Sequence, residues 1–228
     1  MKTRAARPPK PAKQRILLVD DHALLRRGLA MLIGTEPDLV VWAEAATCQA
    51  AKDALAVDQP ELVIADLSLK HDDGLELIKD LKRQYPNLPV LVLSMHEETI
   101  YAERALRAGA NGYVTKQEMD DTVLVAIRRV LAGEVHISES MGREFTRKFM
   151  AGGTLEKPAG LERLSDREFE VFQLIGCGKS TREIARLLGL SVKTIESHRE
   201  HLKLKLDLTS GTDLARCATV WIETGRFR

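Results

Sequence analysis

The sequence predicts a doubly wound α/β domain built on a five-stranded parallel sheet, followed by a smaller all-α domain. Three observations carry this expectation. Apolar runs of four residues at 16–19, 62–65 and 90–93 are too short for helices and rich in branched side chains, and stretches with helical spacing separate them. Leu62-Val63-Ile64-Ala65 shows no polar alternation, as a strand covered on both faces of a parallel sheet should not. After Gly133 the strand pattern stops, and short helical segments broken by Gly-containing turns take over.

Taken in order, residues 1–14 are rich in Pro, Lys and Ala and read as a disordered basic tail. Arg15 to Val19 is the first strand and runs into Asp20-Asp21-His22. Ala23 to Ile33 has Leu25, Leu29 and Leu32/Ile33 on one helical face, with Gly34 as the stop. Leu39 to Ala43 is the second strand, and Thr47 is placed to cap a helix through Val57. The run at 62–65, the third strand, ends at Asp66. A helix over Leu75 to Arg83, a fourth strand from Val90 to Leu93 ending at Ser94, and a helix from Glu97 to Ala108 follow. Gly109-Ala110-Asn111-Gly112 then turns the chain into a short fifth strand, Tyr113 to Thr115, which leads to Lys116 and a helix over Met119 to Ala132. The expected domains are 15–133, a linker over 134–160 and a C-terminal unit over 161–228. Within the linker, Ser138 can cap a helix with Met141, Phe145 and Phe149 as an apolar stripe, before the flexible stretch Gly152 to Gly160.

The composition is that of a globular protein of 228 residues with a formal net charge of +1, but the charge is segregated. Residues 1–15 hold six Lys or Arg and no acid, residues 16–160 sum to −7, and from Leu161 onward twelve basic side chains stand against ten acidic. An acidic body joined to a mildly basic end suggests two domains with different partners, the second a polyanion. Cys48, Cys177 and Cys217 are too few and too scattered for a zinc site or a disulfide framework, and read as small apolar residues in a reducing compartment. No window approaches the ~18 apolar residues of a membrane helix, and the N-terminus has no apolar signal core, so a cytoplasmic protein is expected.

Asp66 alone could be a turn former or helix cap. Its companions change its meaning. In a parallel sheet the strand ends share one edge, so Asp20, Asp21, Asp66, Ser94 and Lys116 should converge there. Three neighbouring carboxylates call for a divalent cation, and an oxygen-rich set with few protein ligands suits Mg²⁺. With the charge neutralised by that ion and by Lys116, one carboxylate can attack a phosphoryl group while Ser94 and Lys116 hold the transferred oxygens.

On these residues, 16–132 resembles the response-regulator receiver domain of two-component signalling, with its flavodoxin/CheY-like fold. The resemblance covers Asp20-Asp21, Asp66 with Gly74 eight residues on, Ser94, Tyr113 three residues before Lys116, and Lys116 itself. It implies that Asp66 is the phosphoacceptor for a sensor histidine kinase. It also implies that Asp21, Asp66 and the main-chain carbonyl of Ser68 bind Mg²⁺ with Asp20 assisting through water, and that Tyr113 turns inward once Ser94 moves toward the phosphoryl group. One position departs from the family: Lys70 stands where Pro is common, so the 68–73 loop should be more polar and less rigid, with an effect on phosphoryl lifetime or partner choice. His22, His71 and His96 lie near the site in sequence and read as solvent-facing.

The last segment has a capping-box start at Ser165 and Glu168 with a helix to Ile175. Two further helices, Thr181 to Leu188 and Val192 to Leu206, flank the connection Gly189-Leu190-Ser191, and a last helix spans Asp213 to Glu223. Leu164 to Leu208 is similar to the LuxR/NarL-type helix-turn-helix, through Leu164-Ser165-Asp166-Arg167-Glu168, Glu183-Ile184-Ala185, Leu190 to Ile195 and His198. Joined to a receiver, this implies the NarL/FixJ class of transcriptional regulators.

In the recognition helix, Ile195, Leu202 and Leu206, with His198 in part, form the inward stripe. Lys193 and Thr194 sit at the positive helix end and suit phosphates; Glu196, Ser197 and Glu200 are placed for base edges, with Arg199 and Lys203 flanking. The alternative is that Glu196 and Glu200 pair with Arg199 and Lys203 and read nothing. The whole chain thus reads as a phosphorylation-controlled regulator binding promoter DNA as a homodimer, with no enzymatic turnover of its own, and the last helix as the dimer contact implied by the resemblance. Two other readings stay open: an aspartyl-phosphate hydrolase, which typically has a second acid two residues after the nucleophile where this chain has Ser68, and a phosphorylation-independent interaction module.

Overall fold

The computed structural model describes residues 13–69, 73–95, 98–118, 121–150 and 161–224. Strands β1 (Gln14–Val19), β2 (Leu39–Ala45), β3 (Leu62–Ala65), β4 (Val90–Ser94) and β5 (Gly112–Thr115) form one all-parallel sheet in the order β2-β1-β3-β4-β5. Helices α1 (Ala23–Gly34) and α5 (Asp121–Leu131) supply Leu29, Ile33, Val123, Ile127 and Val130 to one face, against Ile16, Leu18, Leu62, Ile64 and Leu91. Helices α2 (Cys48–Val57), α3 (Gly74–Gln84) and α4 (Glu98–Ala108) cover the other, where Ala51, Leu55, Ile78 and Ala105 meet Leu17, Val19, Val63, Val90 and Val92. Alternate residues of each central strand point to opposite faces and both faces are buried, which is why the strands read as unbroken apolar runs.

The order reverses at β1 and β3, so a crevice opens at the carboxyl ends of these two strands. Register brings the relevant ends level: Val19 lies opposite Ala65, Ala65 opposite Val92, and Ser94 opposite Thr115.

The structure differs from the expected elements in a few places. β2 continues to Ala45, because β1 carries a register shift between Ile16 and Leu17 and keeps pairing to the end. β1 starts at Gln14, whose amide donates to Asp38 O, so the sheet claims a residue assigned to the tail. A one-turn 3₁₀ helix, Lys116–Glu118, precedes α5. Beyond α5, His136 adds an edge to the sheet: its amide donates to Asn111 O and its carbonyl accepts from Tyr113 N at 2.8 Å. Lys70, His71, His96, most of the basic tail, the Gly152–Gly160 stretch and the side chain of Phe149 lie outside the described residues.

Helix α6 (Glu139–Met150) begins under Ser138, whose hydroxyl accepts from Met141 N, and it buries Met141. The C-terminal unit is all helical: a 3₁₀ turn at Leu161–Arg163, then α7 (Asp166–Gly176), α8 (Thr181–Leu187), α9 (Val192–Lys205) and α10 (Gly211–Thr224). Reciprocal capping boxes at Ser165/Glu168 and Ser180/Glu183 start α7 and α8, and Ser191 caps α9. The turn into α9 uses Gly189 at φ +64°, a left-handed position that suits glycine. α7 and α10 touch where Gly176 removes a side chain: a Cβ there would stand 2.6 Å from Ala218 O.

Candidate functional site

β1 and β3 bring Asp20 and Asp66 to the crevice, and β5 brings Lys116. Lys116 Nζ lies 2.7 Å from Asp66 Oδ2 and 2.8 Å from Asp20 Oδ2, with its side chain only 1% exposed. The ammonium thus bridges two buried carboxylates that would otherwise repel. Ser68 N donates to Asp66 Oδ1 at 3.0 Å, and the Asp66 amide donates to Val19 O, which fixes the loop after β3 on the end of β1. Burial pushes the Asp66 carboxyl above the ordinary carboxylate range, against the pull of Lys116. Gly74 closes the loop from below: its amide donates to Leu67 O, and a Cβ there would stand 2.5 Å from both Asp66 O and Leu67 Cα.

Ser94 is fully buried at the end of β4. Asp21 completes the acidic set, and its Oδ1 lies 2.9 Å from His22 Nδ1. Donor atoms of Asp20, Asp21, His22 and Asp66 all fall within 4.8 Å of one another, a spread that one small cation can span, so the residues present fit a divalent ion. His22 is half exposed, as its place in a loop suggests, yet its ring joins the acidic cluster, which sequence position alone did not reveal.

Tyr113 is 1% exposed. The side chain is thus covered in this structure, at the strand that leads to Lys116. It belongs to the same apolar cluster as Tyr101, Ala102 and Ala105 of α4 and Met141 of α6, which cover this face of the sheet.

In the C-terminal unit, Ile195 and Leu202 are fully buried and Leu206 nearly so, while Lys193, Glu196, Ser197 and Glu200 are exposed and Thr194, Arg199 and Lys203 half-buried. α9 packs on α7, α8 and α10, and its outer face stays open. Lys203 Nζ lies 2.9 Å from Glu200, and the Thr194 hydroxyl is 2.7 Å from that of Ser191. Glu200 therefore makes the i,i+3 pair with Lys203 in the chain without DNA, and Thr194 is shared with the helix cap. Glu168, 4% exposed, anchors the bundle: its carboxylate accepts from Ser165 N at 2.8 Å and from Lys205 Nζ at 2.6 Å. Burial alone would raise its pKa, but Lys205 and Ser165 hold it below the ordinary range.

A parallel sheet with this strand order, an acidic crevice bridged by a lysine and a helix-turn-helix with an open second helix define a response regulator with a DNA-binding output. Comparison with known proteins agrees: residues 16–128 match the response regulator receiver domain, and 162–218 match the luxR family of bacterial regulatory proteins. The chain belongs to the response regulators with a LuxR-type helix-turn-helix, and is a phosphorylation-controlled, DNA-binding transcription regulator. Among curated proteins it is similar to the oxygen regulatory protein NreC of Staphylococcus haemolyticus, 32% identical over 208 residues that cover 90% of this chain and 96% of the relative. Among solved structures it resembles a LuxR-family two-component response regulator from Aurantimonas sp. (32% identity, TM-score 0.57, 61% of this chain and 99% of that one). It also resembles RcsB of Salmonella enterica serovar Typhimurium bound to promoter rprA in the presence of the phosphomimetic BeF3- (28% identity, TM-score 0.54, 90% of this chain and 97% of that one).

Proposed function

We propose that Asp66 accepts a phosphoryl group from a sensor histidine kinase and that the modified chain binds promoter DNA as a homodimer through α9. The observation that carries this reading is the Asp66–Lys116–Asp20 bridge at the shared strand edge. An Asp66 carboxylate oxygen attacks phosphorus, the bond from phosphorus to the kinase imidazole breaks, and the imidazole keeps the bonding pair. Lys116 and the Ser94 hydroxyl take the transferred phosphoryl oxygens. Asp21, Asp66 and the Ser68 carbonyl would hold Mg²⁺, with Asp20 assisting through water. That ion supplies charge neutralisation for the attack. Tyr113, which shares an apolar cluster with Tyr101, Ala102 and Ala105 of α4, would be the switch that turns inward once Ser94 moves toward the phosphoryl group.

Lys193, Thr194 and Arg199 are suited to phosphates and Glu196 and Ser197 to base edges; Glu200 and Lys203 neutralise each other at the groove. Dimer contact falls to the exposed stripe of α10. No described helix is long and apolar enough to cross a membrane, and the reading places the protein in the cytoplasm. It supports its own phosphorylation without turning over a substrate, since Ser68 stands where a phosphatase of this chemistry carries its second acid. The functional units are 15–133, 134–160 and 161–228. Acetyl phosphate with Mg²⁺ should label the wild-type chain and leave Asp66→Asn unlabelled; equal labelling of both refutes the assignment.

A further inference from the structure

The helix-turn-helix unit is docked on the receiver through α4, and the docked face is separate from the one that meets DNA. The Tyr101 ring, 2% exposed, meets Phe169 of α7 edge-on (centroids 5.4 Å apart, 77° between planes), and its hydroxyl donates to Gln173 Oε1 at 3.1 Å. One turn on, the Arg104 guanidinium lies over the same Phe169 ring, 4.3 Å from its centroid, and donates to Leu164 O at 2.5 Å. Phe169 in turn packs on Trp221 of α10. Leu161, Leu164, Phe169 and Phe172 share one apolar cluster with Ala102, Ala105 and Tyr113 of the receiver.

The surfaces that DNA and a second copy would use remain open in this docked arrangement. Lys193, Glu196, Ser197 and Glu200 are exposed on α9, and Arg216 and Val220 on α10. A contact that hid the recognition helix would act as a mask; here Lys193, Glu196, Ser197 and Glu200 keep their access to solvent. α4 also starts four residues after Ser94, and its first residue, Glu98, accepts from Ser138 N at 2.6 Å at the head of α6. Any shift of α4 therefore reaches the linker helix and the DNA-binding unit together.

We infer that Tyr101 and Arg104 are positioning residues that keep the DNA-binding unit docked on α4 while the protein is on DNA. The receiver steers a held domain and does not release it. This rests on the reading of Asp66 given above. A movement of α4 is transmitted through Phe169 to α7 and α10, and sets how two copies present their α9 helices.

The test is hydrogen exchange on the full chain, with and without Mg²⁺ and beryllofluoride, and with a duplex selected from a randomised pool by the phosphorylated wild-type protein. Segments 98–108 and 164–176 should keep their slow exchange in every state. Arg104→Ala should speed exchange in both segments, leave the affinity of the unactivated chain for that duplex within about twofold, and cut the activated affinity by fivefold or more. Tyr101→Phe, which keeps the buried ring, should do the same more weakly. A tenfold rise in exchange across both segments on activation of the wild type would overturn the inference. So would Arg104→Ala binding as tightly without activation as the wild type does with it, or an Arg104→Ala chain indistinguishable from wild type in both states. Labelling by acetyl phosphate on the same samples separates the two levels: an unlabelled wild type sinks the reading of Asp66, whereas labelled variants with unaltered DNA response sink the coupling alone.

Discussion

Gly74→Ala is the sharpest single test of how the loop after Asp66, the proposed phosphoacceptor, is held. A Cβ at this position would sit 2.5 Å from Asp66 O and 2.5 Å from Leu67 Cα, where ordinary contact begins at 3.4 Å. Both obstacles are backbone, so the loop or the first turn of α3 must move by about 1 Å, in line with the shifts overpacking forces. Such overpacking costs about 1–3 kcal/mol, and the alanine returns less than about 1 kcal/mol of helix propensity at the start of α3. A 1 Å displacement of a reacting group lowers rates by roughly 100-fold, so labelling of Asp66 by acetyl phosphate should fall by more than the stability loss alone implies. Gly28→Ala is the control, since a Cβ there meets nothing within 4 Å on exposed α1 and should stabilise by about 0.5–1 kcal/mol. Urea unfolding followed by circular dichroism gives the first quantity and the initial labelling rate the second. A Gly74→Ala chain as stable as wild type and labelled at the same rate would refute the claim that this close approach positions Asp66.

Other consequences can be checked with the same preparations. Lys116→Met leaves Asp20 and Asp66 facing each other without their buried cation, so it should destabilise the receiver by about 3–5 kcal/mol in the absence of metal, with part of the loss recovered on adding Mg²⁺. Gly176→Ala drives a methyl group to 2.6 Å from both Ala218 O and Ile222 Cγ1, and should lower the melting temperature of the C-terminal unit while leaving Asp66 labelling intact. Burial lowers the pKa of His198, with Glu168 opposing; a group whose folded pKa lies below its unfolded value of 6.5 contributes stability in full above that pH and loses it as pH falls. The melting temperature of the wild-type C-terminal unit should therefore drop below pH 6.5 more steeply than that of His198→Asn, as followed by circular dichroism. Glu200→Ala should leave preference unchanged at every base pair in a binding-site selection while strengthening binding slightly, since it frees Lys203; a changed preference at any base pair would restore Glu200 as a reader of sequence.

The receiver sheet was readable in the sequence because its central strands are buried on both faces, so the runs at 16–19, 62–65 and 90–93 announce themselves as unbroken apolar stretches that end at a polar residue. The same topology made the site readable: Asp20, Asp66, Ser94 and Lys116 are far apart in the chain but each ends a strand of one parallel sheet. His22 was not readable as part of the cluster, because a loop histidine carries no periodic signal and only the turn into α1 aims its ring at Asp21. The burial of Tyr113 was hidden for a different reason. It depends on α4 and α6 closing over β5, a packing choice that no local pattern encodes. The docking of the two units was hidden in the same way: Tyr101 fits the core face of α4, and Phe169 and Phe172 fit the core of a small bundle, so nothing in either segment says that these aromatic rings also meet across domains.

The electrostatics of α9 bear on why control by phosphorylation can work at all. Of its outward cations, Lys203 is neutralised by Glu200, and Glu196 adds a further negative charge to the exposed face that carries Lys193. Each phosphate contact a protein makes contributes about 0.9 to the slope of log affinity against log salt, and one unit of this chain can make few such contacts. A single docked copy should therefore hold DNA weakly, and the homodimer proposed above would supply the useful affinity by engaging half-sites about one helical turn apart. A strongly basic recognition helix would bind DNA in either state and leave the receiver little to regulate. With a mildly basic one, where Lys193, Arg199 and Lys203 stand among Glu196 and Glu200, the proposed arrangement of two copies decides the outcome, and that arrangement is what α4, seated between Ser94 on one side and Phe169 on the other, is placed to set.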